Sequence, residues 1–157
     1  MLKLLEEKQL YAKTSKFFFG VQEVEYLVHI VSHEGFKVDP NKIKVIKAWK
    51  VPTTIKQLRG FLGLTGYYRK FVKNYGRIAT PLTTLLKKDA FSWTLETTKA
   101  FEHFKEAMCL APVLATPNFT KTFIVECDVS GNGFGVVLMQ EGRPIAFESR
   151  PIKGNYL

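Results

Sequence analysis

Six residues between positions 56 and 73 recur at steps of three and four, a spacing that brings side chains onto one face of an α-helix. They are four cations, one glycine and one tyrosine: Lys56, Arg59, Gly63, Tyr67, Lys70 and Lys73. Cations neutralise phosphates, a tyrosine packs on sugars or hydrogen-bonds to base edges, and a glycine lets a sugar–phosphate wall approach the helix backbone. The combination favours a surface that binds a nucleic-acid duplex.

The glycines of this segment have a second interpretation. Gly60, Gly63 and Gly66 lie in one predicted helix, and each costs about 1 kcal/mol relative to alanine in a helix interior. Some contact must offset that cost. The alternative to nucleic acid is close helix–helix packing on the glycines, with solvated lysines around them.

Charge is concentrated around the same helix. Residues 37–88 hold thirteen basic side chains and one acidic side chain, Asp39, whereas residues 111–157 hold four of each. A solvated surface usually mixes both signs, so a net charge of +12 in this stretch favours a polyanionic partner, with nucleic acid ahead of membrane lipid. The whole chain of 157 residues has a net charge of +9.

Other classes of protein are excluded by composition. Cys109 and Cys127 are too few for a multi-disulfide scaffold. The N-terminus is charged too early for a signal peptide, and no apolar run approaches the roughly 20 residues of a membrane span. We therefore expect an intracellular protein without a membrane segment.

Sequence periodicity divides the chain into strands, a helical middle and further strands. Two stretches rich in aromatic and β-branched residues predict a hairpin of two strands, residues 11–20 and 23–32, with a break at residues 20–22. The other predicted elements are a short helix over 2–10, a strand over 36–38, helices over 41–49, 54–74, 78–87 and 94–108, and strands over 122–127, 134–140 and 144–148.

Local signals mark the helix starts. Asp39 is the expected N-cap of the first long helix, followed by Pro40 at its first position. Thr54 and Gln57 form a predicted capping box. Pro81 must lie in the first turn of its helix or kink it.

Residues 58–71 resemble the thumb motif of reverse transcriptases from gypsy-type LTR retrotransposons. Further blocks are similar in the family's order: residues 26–40 resemble the end of the palm, 79–88 the later thumb, 100–114 the connection, and 127–138 the first strands of the ribonuclease H domain. The resemblance covers nearly the whole chain.

The resemblance implies an α+β fold in three parts. A palm-derived helix end and β-hairpin occupy residues 1–38, and a basic helical thumb bundle with the connection occupies 39–110. A truncated, partial three-stranded ribonuclease H-like sheet occupies 111–157. Such an incomplete sheet favours self-association through its uncovered edge and face.

The resemblance also assigns binding residues. Arg59, Gly63 and Tyr67 are expected to track the minor groove of a template–primer duplex. The other nucleic-acid-binding candidates are Lys56, Arg69, Lys70 and Lys73. The primer-grip-like residues are Tyr26, Leu27, Val28 and His29, where the family usually has glycine in place of Val28.

Catalysis by the chain alone is not expected. The family's polymerase carboxylates lie on a Tyr-x-Asp-Asp hairpin, and this sequence contains no adjacent pair of aspartates. Asp128 matches the first ribonuclease H carboxylate, but that chemistry needs about four carboxylates around two metal ions. Asp128 is thus a metal ligand only in a complete domain, and no cofactor is expected here, although full-length relatives use magnesium. As a capping or surface residue, Asp128 needs no such role.

Three functions compete at this point. The chain is a reverse transcriptase fragment that binds duplex through the thumb without catalysis, a relic without retained function, or a module whose thumb helices dock a protein partner. Salt-dependent binding of duplex separates the first from the second.

Overall fold

The computed structural model describes residues 2–11, 13, 17–130 and 133–152, which form helices and two small three-stranded antiparallel sheets. The helices are α1 (Leu2–Glu7), α2 (Pro40–Lys47), α3 (Ile55–Tyr67), α4 (Tyr75–Thr84) and α5 (Leu95–Cys109). The strands are β1 (Glu23–Tyr26), β2 (His29–Ser32), β3 (Gly35–Val38), β4 (Ile124–Ser130), β5 (Gly133–Gln140) and β6 (Arg143–Pro151). Within the described ranges, no helix has the length and apolar character needed to cross a membrane. The predicted mixture of helices and strands is confirmed.

The first sheet has the order β1–β2–β3, and it corrects the predicted strand over 23–32. That segment is two strands, because it folds back on itself and places Tyr26 opposite His29. Leu27 and Val28 form the two-residue turn, with φ of +48° and +65°. Such turns normally contain Asn or Gly, so the sequence carries no signal for this one.

The predicted strand over residues 11–20 is wrong for its described part. Residues 11, 13 and 17–20 form no strand, because β1 takes β2 as its hydrogen-bonding partner instead. Residues 12 and 14–16 lie outside the described residues. The hairpin of the sequence prediction is therefore replaced by a meander of three four-residue strands.

The predicted N-cap of α2 forms fully, and the predicted capping box of α3 forms in part. An Asp39 side-chain oxygen accepts a hydrogen bond from the Asn41 backbone nitrogen at 2.8 Å. Thr54 Oγ1 accepts from the Gln57 nitrogen at 3.2 Å, but Gln57 Oε1 accepts from the backbone nitrogen of Thr53, at 2.8 Å, instead of that of Thr54. The capping box is thus half formed.

Helix α3 ends at Tyr67, seven residues before the predicted end. A 3-10 turn, Arg69–Phe71, follows, and Asn74 then takes a left-handed conformation with φ of +59°. Tyr68, Phe71 and Val72, in and beside this turn, are all buried in the core.

Helix α4 also differs from its predicted bounds. It begins at Tyr75 and ends at Thr84, where the sequence predicts a helix over 78–87. Pro81 therefore lies inside the helix and not in its first turn. There it removes one backbone hydrogen bond.

The core lies between α2, α3, α4 and α5. Its fully buried side chains are aromatic or aliphatic: Ile46, Leu58, Phe61, Tyr68, Phe71, Leu82, Phe101, Met108 and Leu114 are each at most 2% exposed. The rings of Phe61 and Phe101 lie 4.7 Å apart between their centroids. This packing fixes which side of α3 faces solvent.

The second sheet has the order β4–β5–β6, and its three strands confirm the three predicted ones. Strand β6 packs on α4, where the Gly76 nitrogen donates to Ser149 Oγ at 2.8 Å. A Cβ on Gly76 would lie 2.9 Å from the Ser149 carbonyl oxygen, so only glycine permits this approach. Strand β4 is an edge strand with exposed side chains, and self-association through it stays a prediction.

A second contact ties the connector after α5 to the first sheet. Phe36 and Leu114 exchange two backbone hydrogen bonds of 2.8 Å. Gly35 allows this bridge, because a Cβ there would lie 1.9 Å from the Leu114 carbonyl oxygen.

Candidate nucleic-acid interface

Helix α3 has one buried and one exposed side, as its spacing predicts. Leu58, Phe61 and Thr65 are completely buried against the core. The opposite side is exposed and includes Gly60. Its exposed residues Lys56, Arg59, Gly63 and Tyr67 are here called the α3 face. Two cations, a glycine and an aromatic ring therefore share one solvent-facing surface.

Gly63 lies open at the centre of the α3 face. Apart from its chain neighbours and the backbone of its own helix, a Cβ built on Gly63 meets no atom of the described chain within 4 Å. At Gly60 the nearest atom is Trp49 Cζ2 at 3.8 Å, and at Gly66 it is Tyr75 Oη at 3.5 Å, both ordinary contact distances. Close helix–helix packing on Gly63 is therefore wrong within the described residues.

The remaining predicted cations are exposed but lie off α3. Arg69 and Lys70 belong to the 3-10 turn, and Lys73 follows it. Lys70 Nζ lies 5.4 Å from the centroid of the Phe71 ring. The predicted single face of six residues is thus wrong in geometry, because the helix ends at Tyr67. The structure instead has two separate cationic surfaces. One is the α3 face, and the other, here called the cationic turn, is formed by Arg69, Lys70 and Lys73.

Two consecutive tyrosines join the end of α3 to the β1–β2 turn. Tyr67 Oη donates to the Leu27 carbonyl oxygen at 2.7 Å, and Tyr68 Oη donates to the Val28 carbonyl oxygen at 3.1 Å. Burial, with Asp39, Tyr67 and Glu25 nearby, raises the pKa of Tyr68 to about 12. The hydroxyl of Tyr68 therefore stays protonated and able to donate. Sequence analysis missed this role, although the adjacent pair of tyrosines at the helix end was a visible signal.

His29 lies under this junction. It is 8% exposed, and its ring packs against Tyr67, Tyr68 and Phe71 at centroid distances of 5.2, 5.6 and 5.2 Å. Burial and the charge of Lys70 lower the pKa of His29. Its buried Nδ1 has no hydrogen-bond partner among the described residues. His29 is therefore a neutral packing residue here.

The four primer-grip-like candidates divide by exposure. Tyr26 and Leu27 are 62% and 65% exposed. Val28 is half-buried against the core and His29 is buried. Only the first two present side chains to a ligand, and they lie beside Tyr67 of the α3 face.

Asp128 lies in β4 opposite Gly135, at a cleft of about 120 Å³ between the second sheet and the end of the cationic turn. Lys73, Asn74 and Glu126 also line the cleft. Glu126 and Asp128 share one face of the strand, as their spacing of two requires. Across the part of the chain that the structure describes, no three His, Cys, Asp or Glu residues are arranged to hold a metal ion. Two carboxylates beside a lysine do not fit a two-metal site.

Comparison with known proteins gives the family. Residues 93–156 match the RNase H-like domain found in reverse transcriptase. The chain is 42% identical over 155 residues to the retrovirus-related Pol polyprotein from transposon 297 of Drosophila melanogaster, covering 98% of this chain and 15% of that protein. It is also 46% identical over 126 residues to an uncharacterized mitochondrial protein of Arabidopsis thaliana, covering 79% of this chain and 80% of that protein. These matches relate the chain to the reverse transcriptase and ribonuclease H region of retrotransposon Pol polyproteins.

Solved structures agree with this assignment. The reverse-transcriptase-related chain is 25% identical to a foamy viral protease-reverse transcriptase in complex with dsDNA, with a TM-score of 0.76, covering 85% of this chain and 29% of that one. A complex of the foamy viral protein with RNA/DNA hybrid gives 26% identity and a TM-score of 0.77, with 84% and 19% covered. The chain therefore spans less than a third of these proteins, and about a sixth of the Pol polyproteins it matches.

Proposed function

We propose that the chain binds duplex nucleic acid, as an RNA/DNA or DNA template–primer, through the α3 face and the adjacent cationic turn. The observation that carries the proposal is Gly63, which is exposed between Arg59 and Tyr67 with nothing within 4 Å of an added Cβ. A glycine inside a helix is unfavourable by about 1 kcal/mol. Contact between its bare backbone and a sugar–phosphate wall offsets that cost only when a duplex is bound.

Charge and similarity support the same ligand. The α3 face and the cationic turn together present Lys56, Arg59, Arg69, Lys70 and Lys73 to solvent. The similar foamy viral reverse transcriptase is described in complex with dsDNA and with RNA/DNA hybrid. We infer that this chain represents the duplex-binding part of a gypsy-type retrotransposon reverse transcriptase.

We further propose that the chain alone performs no phosphoryl transfer. The sequence has no adjacent aspartates for polymerisation, and Asp128 lacks the three further carboxylates that a two-metal ribonuclease H site needs. Asp128 would hold magnesium only with ligands from additional chain. Incubation of the protein with magnesium and a labelled RNA/DNA hybrid tests this, and cleavage that is lost in Asp128→Asn would overturn it.

Binding of fluorescently labelled RNA/DNA hybrid, measured against single-stranded DNA over a series of salt concentrations, tests the function. Preference for the hybrid is expected, with log affinity falling steeply as log salt rises, because each phosphate contact releases counterions. Lys56→Ala should reduce that slope by about one unit. Lys99→Ala, which removes an equal charge from the exposed side of α5, is the matched control and should change affinity little. Equal, shallow binding of both nucleic acids would contradict the proposal.

A further inference from the structure

The β1–β2 turn adopts a backbone that its own residues disfavour. Leu27 and Val28 both have positive φ, a region that residues other than Gly, Asn and Asp rarely occupy. For a β-branched residue such as Val28 it is a pronounced outlier. The strands on either side have only four residues each, so they do little to hold the turn in place. Contacts outside the hairpin must stabilise it.

The two tyrosine hydroxyls supply those contacts. Each carbonyl of the turn accepts one of them, at 2.7 Å from Tyr67 and 3.1 Å from Tyr68. The two rings meet edge to face at 5.2 Å, and Tyr68 is fully buried. Tyr67 is the last residue of α3 and Tyr68 follows it directly, so the two donors fix the position of the β1–β2 turn relative to the α3 face.

The β1–β2 turn, held by these two hydrogen bonds, carries exposed side chains next to the proposed binding surface. Tyr26, Leu27 and the Tyr67 ring are 62%, 65% and 49% exposed. Here we call Tyr26 and Leu27 the hairpin tip. Because the hydroxyl hydrogen of Tyr67 is already donated to Leu27, it is not available to a base edge in the groove.

We propose that Tyr67 and Tyr68 are positioning residues for duplex binding, since their hydroxyls hold the hairpin tip where it contacts the same duplex as the α3 face. The proposal rests on the proposed function and revises one part of it. Tyr67 acts on the duplex through the hairpin tip and the face of its ring, and not through a hydroxyl contact in the groove.

A double-mutant cycle tests the proposal. Tyr67→Phe keeps the ring against His29 and removes only the hydroxyl, so hybrid binding should weaken about fivefold, equivalent to about 1 kcal/mol for one hydrogen bond. The salt slope should not change, because no cation is lost. In a background with both Tyr26→Ala and Leu27→Ala, the same substitution should weaken binding less than twofold, because the side chains that it positions are gone. Additive losses would mean that the hydroxyl touches the duplex directly, and would overturn the proposal.

Hydrogen exchange without nucleic acid gives an independent readout. Tyr67→Phe should accelerate amide exchange in residues 23–32 and leave that of residues 55–64 unchanged, and Tyr68→Phe should do the same. If amide exchange in residues 23–32 is unchanged in both variants, the two hydroxyls do not hold the turn, and the proposal is overturned. If wild-type protein binds no hybrid, the proposed function fails with the positioning role, whereas hybrid binding with additive losses overturns only the positioning role.

Discussion

Replacing Gly63 by alanine should raise stability and lower affinity at the same time. Gly63 lies inside the 13-residue helix α3, and an added Cβ meets no atom within 4 Å. Alanine therefore brings the gain in helix propensity without a clash, about 0.8–1.0 kcal/mol. For a chain of this size, that gain raises the melting temperature by about 2–4 °C. Thermal unfolding followed by circular dichroism measures it.

Duplex binding should respond in the opposite direction. If a sugar–phosphate wall contacts the bare backbone at Gly63, the new methyl group occupies its space. Overpacking of this kind costs about 1–2 kcal/mol, which corresponds to roughly fivefold to thirtyfold weaker binding of RNA/DNA hybrid. The salt slope should stay the same, because the charge is unchanged.

Gly66→Ala is the matched control. It lies on the same helix, but it is half-buried and Tyr75 Oη lies 3.5 Å from the position of its Cβ, so the added methyl group faces the protein and not a ligand on the α3 face. It should stabilise the protein without weakening binding. A Gly63→Ala variant that is more stable and binds hybrid as tightly as wild type would refute the groove-approach argument.

Three further predictions concern the fold around the interface. Leu27→Asn should stabilise the protein by about 0.5–1 kcal/mol in urea unfolding, because Asn tolerates positive φ and the exposed Leu27 side chain loses little packing; a lower midpoint would contradict it. Because burial lowers the pKa of His29, the unfolded chain binds the proton more readily, so stability should be retained above about pH 6.5 and fall below it. Urea midpoints at pH 7.5 and 5.5 check this, and His29→Phe should reduce the difference; an equal difference in both proteins would exclude His29 as its source. Gly76→Ala should lower the free energy of unfolding by about 1–3 kcal/mol, because its Cβ would lie 2.9 Å from the Ser149 carbonyl oxygen. An unchanged free energy in the same urea assay would show that β6 shifts away from the methyl group at little cost.

Sequence patterns predicted the elements whose signals are local. Asp39 and Thr54 cap their helices as expected, and the three C-terminal strands appear close to their predicted positions, between turn residues. The buried side of α3 follows from helical spacing for the apolar Leu58 and Phe61, which are fully buried, whereas the burial of the polar Thr65 was not predicted. These features depend on neighbours within a few residues.

The features that sequence patterns missed depend on distant partners. Nothing near Leu27 and Val28 predicts a tight turn, since its stabilising donors lie 40 residues later at Tyr67 and Tyr68. Similarly, the periodic spacing continues through residues 68–74, but the helix ends at Tyr67 and a 3-10 turn follows it. The α3 face was predictable, whereas its junction with the hairpin required the structure.

The most direct test of duplex binding by the α3 face is an NMR footprint of isotope-labelled protein titrated with RNA/DNA hybrid. The account predicts that amide shift changes concentrate in residues 55–73 and in the turn at Leu27 and Val28. Helix α5 and strand β4 should change little. A footprint centred on α5 or β4, or no saturable footprint at all, would contradict the account.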